Sequence, residues 1–233
     1  MQETGKIQEG PSPLDGMFEK RPGEDRMKVI LIRHGRTAGN MEKRYVGGRT
    51  DQPLCSEGMA ELTAAGTYPG VKTVFVSPML RARQTAAGLF PRARQVVLEG
   101  LREMDFGDFE GKTAQEMEND GAYRAWVDSF CLAACPHGED AVTVGKRVLA
   151  AMMQAIAQND GETAVFVAHG GSIMSALLAQ GMRLEGDMAK LKPHELTQFL
   201  MPNLAATVGR WDGEKLTDCR VYKHVAEISE ELS

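Results

Sequence analysis

The sequence predicts an α/β fold built on a mostly parallel sheet, and three observations carry that expectation. Short β-branched runs alternate with longer stretches of helical periodicity. Several of those runs lead directly into residues with chemistry to offer, as strands of a parallel sheet do at their carboxyl ends. Near the C-terminus, Asp212-Gly213 separates two further runs, a strong hairpin signal that turns one strand antiparallel.

The strand candidates are 28–32, 73–76, 95–98, 163–168, 196–200, 206–211 and 215–222. Between them lie helical patterns. Ser56 is a good N-cap residue and opens a helix reaching about Tyr68. Others span about 79–89, 141–158 and 172–180; in the third, Val148, Leu149, Met152 and Ile156 share one face. Between Leu101 and Glu139 the periodicity weakens, yet Phe106, Phe109, Tyr123, Trp126 and Phe130 are five of the 14 aromatics in the chain. An insertion of this kind reads as a lid over a site, or as a small helical subdomain with a satellite core. Residues 1–26 are polar and Pro/Gly-rich and read as a disordered extension or leader. Residues 27–224 then form one domain with a lid at about 104–140, and 225–233 a tail.

The 233 residues carry a net charge of -5, which argues against nucleic-acid or membrane-surface partners. The sign reverses locally: Arg26 to Arg49 holds seven Lys/Arg and one acidic residue, Glu42, a pattern suited to a small anionic ligand or to a solvated basic face. No apolar run approaches a membrane span. Cys55, Cys131, Cys135 and Cys219 lack a secreted-scaffold pattern, so a reducing cytoplasm fits. Cys131-x3-Cys135-x-His137 has no second ligand pair, and no metal site is expected.

The first strand ends on Arg33-His34-Gly35. The second leads into Ser77-Pro78 and Arg81, the third into Leu101-Arg102-Glu103, the fourth into His169-Gly170-Gly171-Ser172. In a parallel sheet these ends share one edge, so Arg33, His34, Arg81, Glu103 and His169 can converge. Arginine forks match phosphate oxygens, and helix starts beyond two of the strands add backbone N–H donors. The chemistry implied is phosphoryl transfer. Neither a Walker A loop nor an aspartate cluster for Mg²⁺ is evident, so the nucleophile comes from the protein. The cysteines have no anion-binding loop around them. A histidine crowded by arginines is the better candidate.

These segments resemble the histidine phosphatase superfamily, the phosphoglycerate mutase-like family. Its first motif is matched by Arg33-His34-Gly35-Arg36-Thr37 with Asn40, its third by Ser77 to Ala86, its fourth by Leu101 to Gly111 and its fifth by Val165 to Gly171. Its second is similar to Tyr45 to Leu54, with one extra residue within Gly47-Gly48. The resemblance runs from about Lys28 to Trp211, in order. It implies a three-layer αβα sandwich with a lid. By resemblance, His34 is the nucleophile, Arg33, Arg81 and His169 hold the phosphoryl group with help from Asn40, and Glu103 is the proton donor. Thr37 and Gly170 join the phosphate and substrate contacts. Arg36 and Arg83 read as solvent-exposed, His137, His194 and His224 as surface or packing residues, and Asp105, Asp108 and Glu110 as lid and loop carboxylates. Many relatives carry Arg where this chain has Met174.

The resemblance implies a metal-independent phosphomonoester phosphatase that uses a phosphohistidine and no cofactor. The compact Leu101–Gly111 segment is more like the phosphatases, among them α-ribazole phosphatase-like and broad-specificity members. Two alternatives stay open: a phosphoglycerate mutase-type phosphotransferase, and a non-catalytic protein that binds a phosphate ligand. The partners expected are a small organic phosphate ester and, at most, a second copy of the chain in a homodimer.

Overall fold

The structure, a computed structural model, describes residues 27–181 and 201–232. Its elements are β1 (Met27–Arg33), α1 (Ala38–Met41), α2 (Ser56–Ala64), β2 (Thr73–Val76), α3 (Leu80–Leu89), β3 (Arg94–Val97), α4 (Gly121–Asp128), α5 (Ala141–Ala157), β4 (Thr163–Ala168), α6 (Gly170–Ala179), β5 (Ala206–Trp211) and β6 (Leu216–Tyr222). Short 3₁₀ turns cover Glu99–Leu101, Gly107–Phe109 and Val225–Leu232. The candidate strand at 196–200 and His194 lie outside the described residues.

One six-stranded sheet runs in the order β3-β2-β4-β1-β5-β6. The pairs β1/β4, β2/β4 and β2/β3 are parallel, and β5 is antiparallel to both neighbours, to β6 through the Asp212-Gly213 turn. The register positions the site. Ile32 and Val76 both lie opposite Val167, so β1, β4 and β2 end level with one another. The ladder continues one step into the loops: His34 N–H donates to the Ala168 carbonyl and Ser77 N–H to the Val167 carbonyl, each at 3.0 Å.

Strand residues alternate between two apolar clusters because successive side chains point to opposite faces. Val29, Leu31, Phe75 and Phe166 pack with α5 and α6; Ile30, Ile32, Val74, Val165 and Val167 pack with α2, α3 and the C-terminal 3₁₀ turns. Both faces are covered, which gives the three layers. Among the described residues no helix is long and apolar enough to cross a membrane.

Several boundaries differ from the sequence expectation for local reasons. Cys55, not Ser56, caps α2, its Sγ accepting from Gly58 N–H. That helix stops at Ala64 because Gly66 takes a positive φ of 82° just beyond it. α6 starts at Gly170, directly after His169, rather than at Ser172. The expected tail is no tail: Val225, Ile228 and Leu232 are buried in the second cluster. Nor do the lid aromatics form a satellite core. Phe109, Tyr123 and Trp126 belong to the cluster that contains Val29 and Phe166, while Phe130 is 61 % exposed. Met174 is buried in that same cluster, an apolar setting that suits Met and not a cation.

α5 and α6 pack closely through Gly145, where a Cβ would lie 2.5 Å from the Ser175 carbonyl oxygen on α6. Alanine is the better helix former by ~1 kcal/mol. Overpacking against backbone costs about 1–3 kcal/mol, and it wins here. Gly145→Ala is therefore expected to lower the urea midpoint of unfolding; a raised midpoint would contradict this packing.

Candidate active site

His34 follows β1 at the sheet edge and is 3 % exposed. Its Nδ1 lies 2.6 Å from the Gly35 carbonyl oxygen. A carbonyl only accepts, so Nδ1 carries the proton and Nε2 keeps its lone pair. Burial pushes the imidazole well below its ordinary pKa of 6.5; the Arg81 and Arg33 charges push the same way, against the Gly35 hydrogen bond. The ring is neutral at pH 7.

Arg81, on the first turn of α3, is fully buried. Its Nη1 donates to the Thr50 carbonyl (2.9 Å), Nη2 to those of Gly47 (3.1 Å) and Val46 (3.4 Å), and Nε to His169 Nδ1 (3.2 Å). Arg33 is half-buried. Its Nη1 donates to the Met201 carbonyl, whereas its Nε is buried without a partner among the described residues. Burial pulls this guanidinium down to about 10, with Glu103 opposing and Arg81 adding to the fall, so it stays cationic at neutral pH.

His169 directly follows β4 and is fully buried, its ring centroid 5.0 Å from that of His34. Since Nδ1 accepts from Arg81, the neutral ring carries its proton on Nε2, which donates to Ser77 Oγ at 2.7 Å. Burial, followed by Arg81, His34 and Arg33, holds it well below 6.5. The sequence reading puts His169 on the phosphoryl group. In this structure both ring nitrogens are bonded to protein, and the ring orients Arg81. Ser77, given no role from the sequence, fixes the tautomer.

Glu103 is brought in by the chain after β3 and is 6 % exposed. Its Oε1 accepts from Ser172 N–H (2.7 Å) and Met104 N–H (2.9 Å), and its Oε2 from Gly171 N–H (3.0 Å). The carboxylate thus sits at the N-terminus of α6, where free amides and the helix dipole favour an anion. Gly170 is the first residue of that helix, and a Cβ on Gly171 would lie 2.8 Å from Glu103 Oε1.

The loop around Gly47-Gly48 joins these parts. Its Val46, Gly47 and Thr50 carbonyls go to Arg81 and that of Gly48 to Arg102 Nη1, while Gly47 N–H and Thr50 N–H donate to Glu110 Oε1 at 3.0 and 2.9 Å. Glu110 Oε2 is buried without a hydrogen-bond partner. Glu110 is therefore more than a lid carboxylate; it holds the loop that holds Arg81. The glycine pair has a steric reason. A Cβ on Gly47 would lie 2.3 Å from the Met104 carbonyl oxygen, and one on Gly48 2.8 Å from that of Glu103.

Thr37 is buried and forms a reciprocal cap with Asn40 on the one-turn helix α1. Asn203 donates to the His34 carbonyl (3.0 Å) and to Asn40 Oδ1 (3.2 Å), tying α1 to the strand end; no sequence motif marks it. The basic stretch is mostly paired. Lys28, Arg36, Arg44 and Arg49 meet Glu231, Glu61, Glu42 with Glu116, and Asp105, while Arg33 reaches a backbone carbonyl. Arg36 and Arg83 are exposed, and exposed His137 pairs with Asp108. Among the described residues no group of His, Cys, Asp and Glu could hold a metal ion. A cleft of about 350 Å³ opens beside the acid segment, walled by Arg49, Arg102, Glu103, Glu139 and Arg147 but not by His34.

The sequence profile of the histidine phosphatase superfamily (branch 1) matches residues 29–219. A 2,3-bisphosphoglycerate-dependent phosphoglycerate mutase of Bartonella tribocorum is 28% identical over 166 residues, 65% of this chain and 80% of its own length. An adenosylcobalamin/alpha-ribazole phosphatase of Salmonella typhimurium is 30% identical over 162 residues, covering 66% and 79%. Among solved structures, mycobacterial glucosyl-3-phosphoglycerate phosphatase superposes with a TM-score of 0.63 at 26% identity, over 84% of this chain and 96% of that one. The matched span takes in both histidines, both arginines and the glutamate at the shared strand edge, and the chain belongs to the histidine phosphatase superfamily.

Proposed function

We propose that the protein is a phosphomonoester phosphatase acting through a phosphohistidine on a small organic phosphate. The observation that carries this reading is the state of His34: neutral, protonated on Nδ1 by its bond to Gly35, and therefore nucleophilic at Nε2. In the first step the ester, bound as its monoanion, passes its proton to the Glu103 carboxylate; Nε2 attacks phosphorus, the N–P bond forms, the ester P–O bond breaks, and the leaving alkoxide takes that proton from Glu103. In the second, water attacks the phosphohistidine while the Glu103 carboxylate takes a proton from it, releasing phosphate and neutral His34. Arg33 and Arg81 supply positive charge to the phosphoryl oxygens, and the unpartnered Arg33 Nε–H is a donor ready for one of them. Two guanidiniums cover the charge that a metal ion would otherwise neutralise, so the proposed mechanism is metal-independent. Residues 104–140 close over the substrate in this scheme.

A phosphotransferase of the mutase type is the second reading, favoured by the mutase names among sequence relatives. It differs only in the acceptor, a second hydroxyl of the substrate in place of water. Phosphate release from an aryl phosphate in EDTA separates the two.

His34→Ala is expected to lower aryl phosphate hydrolysis by ~10³-fold or more with an unchanged circular dichroism spectrum. Full retained activity would remove His34 as nucleophile. The pH dependence follows from the two buried imidazoles. Their folded pKa values lie below 6.5, so the unfolded chain binds more protons than the folded one once pH falls under that value. Stability is fully present above pH 6.5 and declines as pH drops, by up to ~1.4 kcal/mol per pH unit per histidine. In the same range kcat/KM is expected to show no protonation step for His34 near 6.5. Urea midpoints flat from pH 7 to 5, or an activity limb at 6.5 that His169→Asn leaves in place, would contradict these assignments.

A further inference from the structure

Arg147 and Glu139 lie outside every motif read from the sequence, yet they enclose the acid. Arg147, in the second turn of α5, has five N–H donors and uses all of them. Nη1 donates to the carbonyls of Gly100 (3.0 Å) and Arg102 (2.6 Å), and Nη2 to that of Glu103 (3.1 Å). Nε and Nη2 grip Glu139 Oε1 and Oε2 at 2.9 and 2.8 Å. Glu139 Oε2 in turn accepts from Asp105 N–H at 2.9 Å. The chain on both sides of the Glu103 Cα is therefore fixed to one guanidinium and its partner carboxylate. Gly48 N–H adds a bond to the Met104 carbonyl at 2.9 Å.

The pair is itself anchored. Asp140, next to Glu139, caps α5 through Thr143 N–H at 2.8 Å. Both side chains are about three-quarters buried, with 25 % and 27 % exposure. Burial alone would raise the Glu139 carboxyl; the hydrogen bonds and charge of Arg147 and the Asp105 amide outweigh it and hold Glu139 below its ordinary range. α5 packs on α6 through Gly145, and α6 grips the Glu103 carboxylate. The acid is thus held at its head by one helix and at its backbone by the next.

We propose that Arg147 and Glu139 are positioning residues for Glu103, setting where its proton is delivered to the leaving oxygen. The proposal rests on the phosphatase reading above. A lysine at 147 keeps the charge but has three donors from a single nitrogen and cannot span three carbonyls and a carboxylate. Position, not charge, is then what Arg147→Lys removes.

The test compares kcat/KM on an alkyl phosphate, whose leaving group needs the proton, with that on 4-nitrophenyl phosphate, whose leaving group does not. It uses the full chain and its Glu103→Gln, Arg147→Lys and Glu139→Gln variants, with inhibition by inorganic phosphate measured for each. Arg147→Lys and Glu139→Gln are expected to lose ~10- to 10²-fold on the alkyl ester and under ~3-fold on the aryl ester, with phosphate inhibition unchanged. Glu103→Gln shows the same asymmetry, larger. Equal losses on both esters with weakened phosphate inhibition, or no loss, would overturn the positioning role while Glu103→Gln keeps its asymmetry. Should Glu103→Gln lack the asymmetry, the acid assignment falls and this proposal with it. Glu139→Gln keeps size and an acceptor oxygen, so it carries the test if Arg147→Lys does not fold.

Discussion

A fully buried cation, Arg81, organises this molecule. Taking a guanidinium out of water costs several kcal/mol unless its donors are met. Arg81 is fully buried, and the chain supplies it with three carbonyls and a histidine nitrogen. Glu103, Asp51 and Glu110 add opposing charge. Arg33 is less complete: one backbone carbonyl, and an inner N–H with no partner among the described residues. Burial, with the arginine charges adding to it, keeps His34 and His169 neutral. Two guanidiniums beside two neutral imidazoles leave this end of the sheet electropositive around Glu103.

That arrangement depends on sheet register. β2, β4 and β1 are neighbours whose last residues are level, so Ser77, His169 and His34 leave the sheet side by side. A slip of one residue in β1 would exchange its two apolar faces and send His34 out of the row. The alternating burial of Val29, Ile30, Leu31 and Ile32 in separate clusters is therefore also what aims the nucleophile. Glu103 arrives by another route, from β3 at the sheet edge, and needs more fixing. α6 amides hold its carboxylate, and the Gly47-Gly48 loop and α5 hold its backbone.

Much of this was legible in the sequence, and what was not has a physical reason. Strand ends could be read because β-branched runs stop abruptly before Arg33, Ser77 and His169. The five chemical residues do meet. Roles that depend on which atom faces which could not be read: His169 turned to Arg81 and Ser77, Asn40 used in a cap, Glu110 beneath a loop. Arg147 and Asn203 stand in no pattern of periodicity or spacing, since each acts on backbone distant in sequence. The extra glycine near residue 47 reads as an insertion in sequence; in space it is what lets that loop touch the acid segment. The satellite core expected for the aromatics of residues 101–139 did not form, because periodicity cannot say whether two apolar groups share one core.

The covalent step on His34 is open to a direct test by rapid quenching. The full chain would be mixed with a phosphate-labelled monoester, quenched in alkali, digested and mapped. Base-stable, acid-labile label is expected on the peptide containing His34, approaching one label per chain in the first turnover. Label on another residue, or turnover with no labelled protein at any time, would contradict it.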